Sequence, residues 1–215
     1  MAGKEYKSLV HIHADSVRLE GELHIPQGAK GIVIFVHGSG SSRFSPRNTF
    51  VAQVLRSAGL GTLLFDLLTR EEDTDYQNRF NIPLLARRLV AVTQWAGTQE
   101  QTRNLQIGYF GASTGAAAAL IAAVEQGKDI KAIVSRGGRP DLAEEVLGSV
   151  NVPTLFIVGG NDNVVIKLNR DASLRMRTKI ELKIIPGATH LFEEPGALEE
   201  VARLAAEWFT KYLCK

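Results

Sequence analysis

The chain has 215 residues, 45% of them hydrophobic and 22% charged, enough length and apolar content to bury a sheet beneath helices and too much for a disordered or fibrous chain. A formal charge of +2, with basic residues scattered along the sequence, argues against nucleic acid or an anionic membrane as a partner. The opening MAGKEYKSLVHIHADS lacks an apolar core of signal-peptide length, no segment approaches the roughly 20 apolar residues that span a bilayer, and the lone Cys214 has no intrachain disulfide partner, so the expectation is a single cytoplasmic domain over 1–215.

Residues Ser8 to His13 and Ser16 to Ile25 alternate apolar and polar around an Ala14-Asp15 turn, as a half-buried antiparallel hairpin does. Short, mostly apolar runs follow at Gly31–Val36, Thr62–Phe65, Leu105–Phe110, Ile130–Val134, Pro153–Val158 and Ile180–Ile185, most of them reading as strands buried on both faces. Helical spacing occupies the gaps: Asn48–Ser57, Ile82–Trp95, Thr114–Gln126, Asp141–Leu147, Val164–Met176 and Pro195–Leu213. The polar stretch Thr69–Arg79 reads as a surface loop. Alternating strands and helices predict an α/β fold: a mostly parallel sheet of about eight strands, helices on both faces, an antiparallel N-terminal hairpin at one edge and no large lid.

In such a sheet ligands bind beyond the carboxyl ends of the strands. Gly111-Ala-Ser113-Thr-Gly115 fits G-x-S-x-G between an apolar strand and an Ala-rich helix, the context in which a strained turn lifts a serine hydroxyl above the sheet. The alternatives are an incidental serine in a glycine-rich turn or a phosphate loop, and the segment lacks both the third glycine of a dinucleotide fingerprint and the Lys of a P-loop.

A serine nucleophile needs a base, and the chain has five histidines. His11, His13 and His24 fall on the hairpin, where His11-x-His13 is more simply a polar strand face than a metal site. His37 opens His37-Gly-Ser-Gly after the third strand, a place suited to shaping a loop. His190 follows the last strand and can reach back over the sheet; Asp162, in Val158-Gly-Gly-Asn-Asp162, follows the penultimate strand and is the expected acceptor for its imidazole, ahead of Asp66 and Asp141. The plainer readings are a turn residue for His190 and a turn-forming Asp for Asp162.

The four pieces His37-Gly-Ser-Gly, Gly111-Ala-Ser-Thr-Gly115, Val152-Pro-Thr-Leu-Phe-Ile-Val-Gly-Gly-Asn-Asp162 and Pro186-Gly-Ala-Thr-His190, in this order, resemble the α/β-hydrolase superfamily and its dienelactone-hydrolase-like branch from Gly31 onward. Dienelactone hydrolases proper carry Cys in G-x-C-x-G, where this chain has Ser113. The resemblance implies a carboxylic-ester hydrolase with a Ser113-His190-Asp162 triad, an oxyanion hole from the N–H groups of Thr114 and Ser39, a small-molecule ester or lactone substrate, and no cofactor or metal. An acyltransferase or thioesterase with the same triad, and a catalytically silent ligand-binding fold, are the alternatives. Arg43, Arg47, Arg70, Arg136 and Arg139 also follow strands; of these Arg43, Arg136 and Arg139 are candidates to bind an anionic substrate group, against the plainer reading of solvated loop surface.

Overall fold

The computed structural model describes residues 5–214. Its centre is one eight-stranded sheet in the order β1-β2-β4-β3-β5-β6-β7-β8. The strands are β1 (Tyr6–Ala14), β2 (Val17–Ile25), β3 (Gly31–Val36), β4 (Gly61–Phe65), β5 (Gln106–Ala112), β6 (Ile130–Arg136), β7 (Thr154–Gly159) and β8 (Ile180–Ile185). β1 and β2 form an antiparallel hairpin whose turn residue Asp15 takes φ 53°, a left-handed conformation that Asp tolerates better than most side chains. β2 meets β4 antiparallel, and from β4 to β8 every pairing is parallel.

The helices divide between the two faces. α2 (Ile82–Thr98), α3 (Thr114–Gln126) and α4 (Asn163–Arg175) cover one; α1 (Pro46–Ser57) and α5 (Ala197–Leu213) cover the other. Alternation along β3 shows how one strand serves both cores: Ile32, Ile34 and Val36 face α2 and α3, while Val33 and Phe35 face α1 and α5. Every residue of β3, β4 and β7 is buried, which is why these segments read as continuous apolar runs. α3 lies over the middle of the sheet with Ala116, Ala117, Ala118 and Ala119 fully buried; small side chains let it approach the strands closely.

Two segments differ in detail from the sequence expectation. The stretch Pro140–Ser149 is a 3₁₀ helix interrupted at Ala143 (φ −120°) where an α-helix over 141–147 is expected. Its buried Ala143 and Leu147 give the apolar spacing of a helix face, and over so short a run that spacing does not separate the two windings. Within 69–79 the loop contains the 3₁₀ turn Glu72–Thr74 and enters another, Tyr76–Phe80, braced by Arg79 Nε donating to Asp73 Oδ1 at 2.8 Å. Among the described residues no helix is long and apolar enough to cross a membrane.

Buried Arg88 on α2 ties this loop to the hairpin. Its Nη1 donates to Ala14 O at 2.7 Å and Asp15 Oδ2 at 3.1 Å, and its Nη2 to Glu72 Oε1 at 2.6 Å. Charge-assisted bonds of this kind contribute about 1.5–3 kcal/mol. Arg88→Met is expected to lower the melting temperature by roughly 5 °C in scanning calorimetry; an unchanged melting temperature would show that the hairpin is held by its apolar contacts alone.

Candidate active site

The turn from β5 into α3 places Ser113 at φ 51° and ψ −122°. A non-glycine residue at positive φ is strained, and persists only where its surroundings enforce it. Here they do. The Ser113 N–H donates to Arg136 O at 3.1 Å, and Ser113 O accepts from the N–H groups of Ala116 and Arg139, each at 3.1 Å. Gly115 lets α3 press against the end of β3: a Cβ there would lie 2.2 Å from Val36 O and 2.5 Å from His37 O.

Asp162 caps the N-terminus of α4, its Oδ1 accepting the Val165 N–H at 3.3 Å. Its Oδ2 lies 2.7 Å from His190 Nδ1, and His190 Nε2 lies 3.4 Å from Ser113 Oγ. The carboxylate assigns the ring proton to Nδ1, leaving the Nε2 lone pair toward the serine hydroxyl. The three residues selected from the sequence are thus brought together from the ends of β5, β7 and β8. The Asp162 side chain is 16% exposed and that of His190 39%, so the serine-facing imidazole is reachable from solvent.

The two loops that supply this pair are fastened backbone to backbone. Gly160 N–H donates to Ile185 O at 2.7 Å, Asn161 N–H to Ala188 O at 2.9 Å, and Asn161 Nδ2 to Gly187 O at 2.8 Å. Gly159 makes the approach possible, since a Cβ on it would fall 2.4 Å from Ala188 O and 2.5 Å from Thr189 O. The sequence reading passed over Gly159 because a glycine after a strand signals a turn without revealing which backbone lies against it. It also passed over Asn169, a fully buried residue of α4 whose Nδ2 donates to Gly138 O at 2.9 Å and so holds the loop after β6; nothing in a helical pattern separates such an Asn from an exposed one.

Thr114 opens α3, whose first turn has no side-chain cap, so its leading N–H groups are free of the usual cap acceptor. Ser39 requires a correction as an oxyanion donor: its N–H donates to Thr114 Oγ1 at 2.9 Å and is already occupied. Thr114 stands close enough to the loop after β3 for its hydroxyl to accept from Ser39. His37 shapes the same loop. Its Nε2 accepts the Leu67 N–H at 3.1 Å and its Nδ1 donates to Gly38 O at 3.0 Å. Burial pulls its pKa below the ordinary 6.5, so the ring is held neutral with both nitrogens engaged.

The arginines separate cleanly. Arg43 is corrected as an anion binder: its guanidinium donates to Asp66 and, at 2.7 Å, to Glu20 Oε2. Arg139 is corrected likewise, its Nε and Nη2 donating to the two oxygens of Asp141 at 2.9 and 2.7 Å. These pairs also account for Asp66 and Asp141, the weaker candidates for the acid. Arg70 is exposed. Arg136, last residue of β6, is 8% exposed, with Nε and Nη1 enclosed and, among the described residues, without an acceptor. Burial, reinforced by the neighbouring charge of Arg47, lowers its pKa to about 10, which still leaves a cation at neutral pH. His11 and His13 face solvent on β1, and among the described residues no group of three His, Cys, Asp or Glu side chains is placed to hold a metal ion.

Phe44, Tyr76, Phe80, Leu142, Val164 and Leu191 are all exposed, and each lies in a segment that follows a parallel strand.

A nucleophile-position serine on a strained strand-to-helix turn, with Asp and His carried by the last two strands of this sheet, defines the α/β-hydrolase fold. Residues 19–213 match the model of the dienelactone hydrolase family, and the chain belongs to that family. It is similar to a crystal structure of dienelactone hydrolase from Anabaena variabilis, with 54% identity, 98% of this chain and 100% of the other covered, and a TM-score of 0.95. A Mycobacterium tuberculosis protein provisionally named a phosphoribosyl transferase is 57% identical over 205 residues, covering 95% of this chain; the chain spans 46% of that protein's length. Est1E from Butyrivibrio proteoclasticus, 18% identical with a TM-score of 0.82 over 96% of this chain and 99% of the other, shares the fold.

Two outcomes follow from the loop geometry. Gly159→Ala is expected to displace the His190 loop and lower any Ser113-dependent turnover by about 100-fold, the scale of a 1 Å misplacement; wild-type rates would show that the loops tolerate separation. For His37, the folded state resists a proton that the unfolded chain accepts below pH 6.5, so its contribution to stability is present above that value and declines as pH falls below it. Calorimetry between pH 8 and 5 should therefore show a smaller acid loss in His37→Gln than in the wild type, and equal losses would contradict a buried neutral ring.

Proposed function

We propose that this chain is a serine hydrolase that cleaves small carboxylic esters or lactones through an acyl-enzyme on Ser113. The observation that carries the reading is the continuous chain Ser113 Oγ, His190 Nε2, His190 Nδ1, Asp162 Oδ2, with separations of 3.4 and 2.7 Å, built on a serine held at positive φ. Membership of the dienelactone hydrolase family supports a hydrolase.

In the proposed reaction Ser113 Oγ bonds to the ester carbonyl carbon as its proton passes to His190 Nε2. Asp162 stabilises the resulting imidazolium, and the carbonyl oxygen takes the negative charge beside the N–H of Thr114 at the start of α3. Collapse breaks the bond to the alcohol oxygen, which leaves with the proton from His190. Water then gives a proton to His190 and its oxygen to the acyl carbon; the second collapse returns the proton to Ser113 Oγ and releases the acid.

The His190 side chain, 39% exposed, and the shortness of the segment between β6 and β7 favour a small ester approached from solvent. The transferase name belongs to a protein of which the chain spans 46%, and a serine backed by a His-Asp pair is acyl-transfer machinery, so phosphoribosyl transfer is not carried over.

With p-nitrophenyl acetate, Ser113→Ala and His190→Gln are expected to lower kcat by at least about 1,000-fold and Asp162→Asn by at least about 100-fold, while circular dichroism stays native. Turnover by Ser113→Ala at the wild-type rate, or none by the folded wild type on a panel of short esters and lactones, would overturn the proposal.

A further inference from the structure

The sheet ends in two edge strands, and they differ. Among the described residues neither β1 nor β8 is paired on its outer side. β1 carries Lys7, His11 and His13 and no acidic residue, so a second copy laid against it offers Lys7 no counter-charge. β8 carries both signs, Glu181 and Lys183, in Ile180-Glu-Leu-Lys-Ile-Ile185. A row of unpaired backbone groups is a template for another strand, and edges are ordinarily blunted by bulges, proline or repelling charge. β8 runs in unbroken register with β7 and has no proline within it.

The backbone fixes which groups face the open side. Lys179 O accepts the Thr154 N–H at 2.9 Å and Ile185 O accepts the Gly160 N–H at 2.7 Å, so the odd-numbered residues turn their peptide groups toward β7. Ile180, Leu182 and Ile184 therefore direct N–H and C=O to the free edge. Their side chains share one face: Ile180 and Leu182 pack at the margin of the core beneath α2, α3 and α4, and Ile184 has their parity. Glu181 and Lys183 emerge on the α5 face, beside a groove of about 320 Å³ that Arg203, Leu204, Glu207 and Trp208 also line. Only Ile185 of β8 is buried, whereas all of β7 is, so the outer strand keeps apolar surface that a further strand would cover.

We propose that β8 is the docking edge for a second copy of this chain, paired antiparallel about a two-fold axis at Leu182, so that one sheet runs through both copies. In this register Leu182 exchanges N–H···O bonds with Leu182 of the second copy, and Ile180 does so with its Ile184. Glu181 stands opposite Lys183 of the second copy on the α5 face, while Ile180, Leu182 and Ile184 form an unbroken apolar row on the other. Such self-complementarity is what a two-fold interface requires. Within one copy Glu181 and Lys183 lie 3.6 Å apart, so association closes a cluster of two acids and two bases. Neighbouring registers fail: an axis at Ile180 sets Lys183 against Arg177, and one at Ile184 sets Leu182 against Pro186, which has no N–H to give. The proposal is independent of the chemistry at Ser113.

Light scattering over a dilution series tests it. The wild type is predicted to be a dimer at about 100 µM and to dissociate on dilution. Glu181→Lys and Lys183→Glu each set like charges opposite one another and should weaken self-association at least about 10-fold. An equimolar mixture of these two variants should associate one to one, because every charge then meets its opposite, and the doubly reversed Glu181→Lys, Lys183→Glu should dimerise as the wild type does. Both side chains are at the surface, and circular dichroism confirms that each variant is folded. In hydrogen exchange the amides of Ile180, Leu182 and Ile184 should slow as concentration rises, while those of β1 stay unchanged.

A wild type that remains a monomer at this concentration would overturn the proposal. So would a dimer whose dissociation constant the single reversals leave in place, which would put the contact elsewhere on the molecule. Variants that dissociate singly but fail to associate when mixed would overturn it as well, since the register demands that they pair. None of these readouts depends on turnover, so loss of the hydrolase reading would leave the docking edge standing.

Discussion

The conformation of Ser113 governs the rest of the site. Its backbone is held at positive φ by three hydrogen bonds, one to β6 and two from residues that follow it, and the crowding that enforces this turn comes from α3 pressing on the end of β3 at Gly115. That pressure is possible because α3 is lined with alanine and lies over the centre of the sheet. The strain is local, whereas its compensation is spread through the most deeply buried layer of the fold. A hydroxyl lifted clear of the sheet edge is the outcome, and the other functional groups are arranged around it.

The same economy of backbone contact builds the Asp162–His190 pair. The loops after β7 and β8 are joined through Gly159, Gly160 and Asn161, so Asp162 and His190 are held against each other. Asp162 has a further anchor in the first turn of α4. Opposite them, Thr114 accepts from Ser39 while His37 accepts from Leu67 and donates to Gly38, which ties the loop after β3 to the elbow and to the loop after β4. Polar groups beside the serine therefore hold one another in place, and Arg136 stands apart from them as a buried charge whose Nε and Nη1 meet no acceptor among the described residues.

The order of elements was legible in the sequence because buried strands and amphipathic helices carry different apolar spacings, and because the elbow's two glycines bracket its serine. Ser113, Asp162 and His190 could be selected from their places after strands. What the sequence withheld was orientation. Arg43, Arg139 and Arg136 look alike as arginines in loops or at strand ends, yet the first two close on carboxylates of their own fold and the third does not. Ser39 looked like a free donor because the acceptor that occupies it, Thr114 Oγ1, is 75 residues away in sequence. The winding of Pro140–Ser149 was ambiguous for a different reason: two apolar anchors do not fix the number of residues per turn.

The account turns on Ser113 being a nucleophile, and covalent chemistry addresses this most directly. Treatment of the folded protein with a fluorophosphonate, followed by peptide mass spectrometry, is predicted to give one adduct, on the hydroxyl of Ser113, formed far more slowly when His190 is replaced by Gln. No adduct, or an adduct on another serine at a rate indifferent to His190, would contradict it.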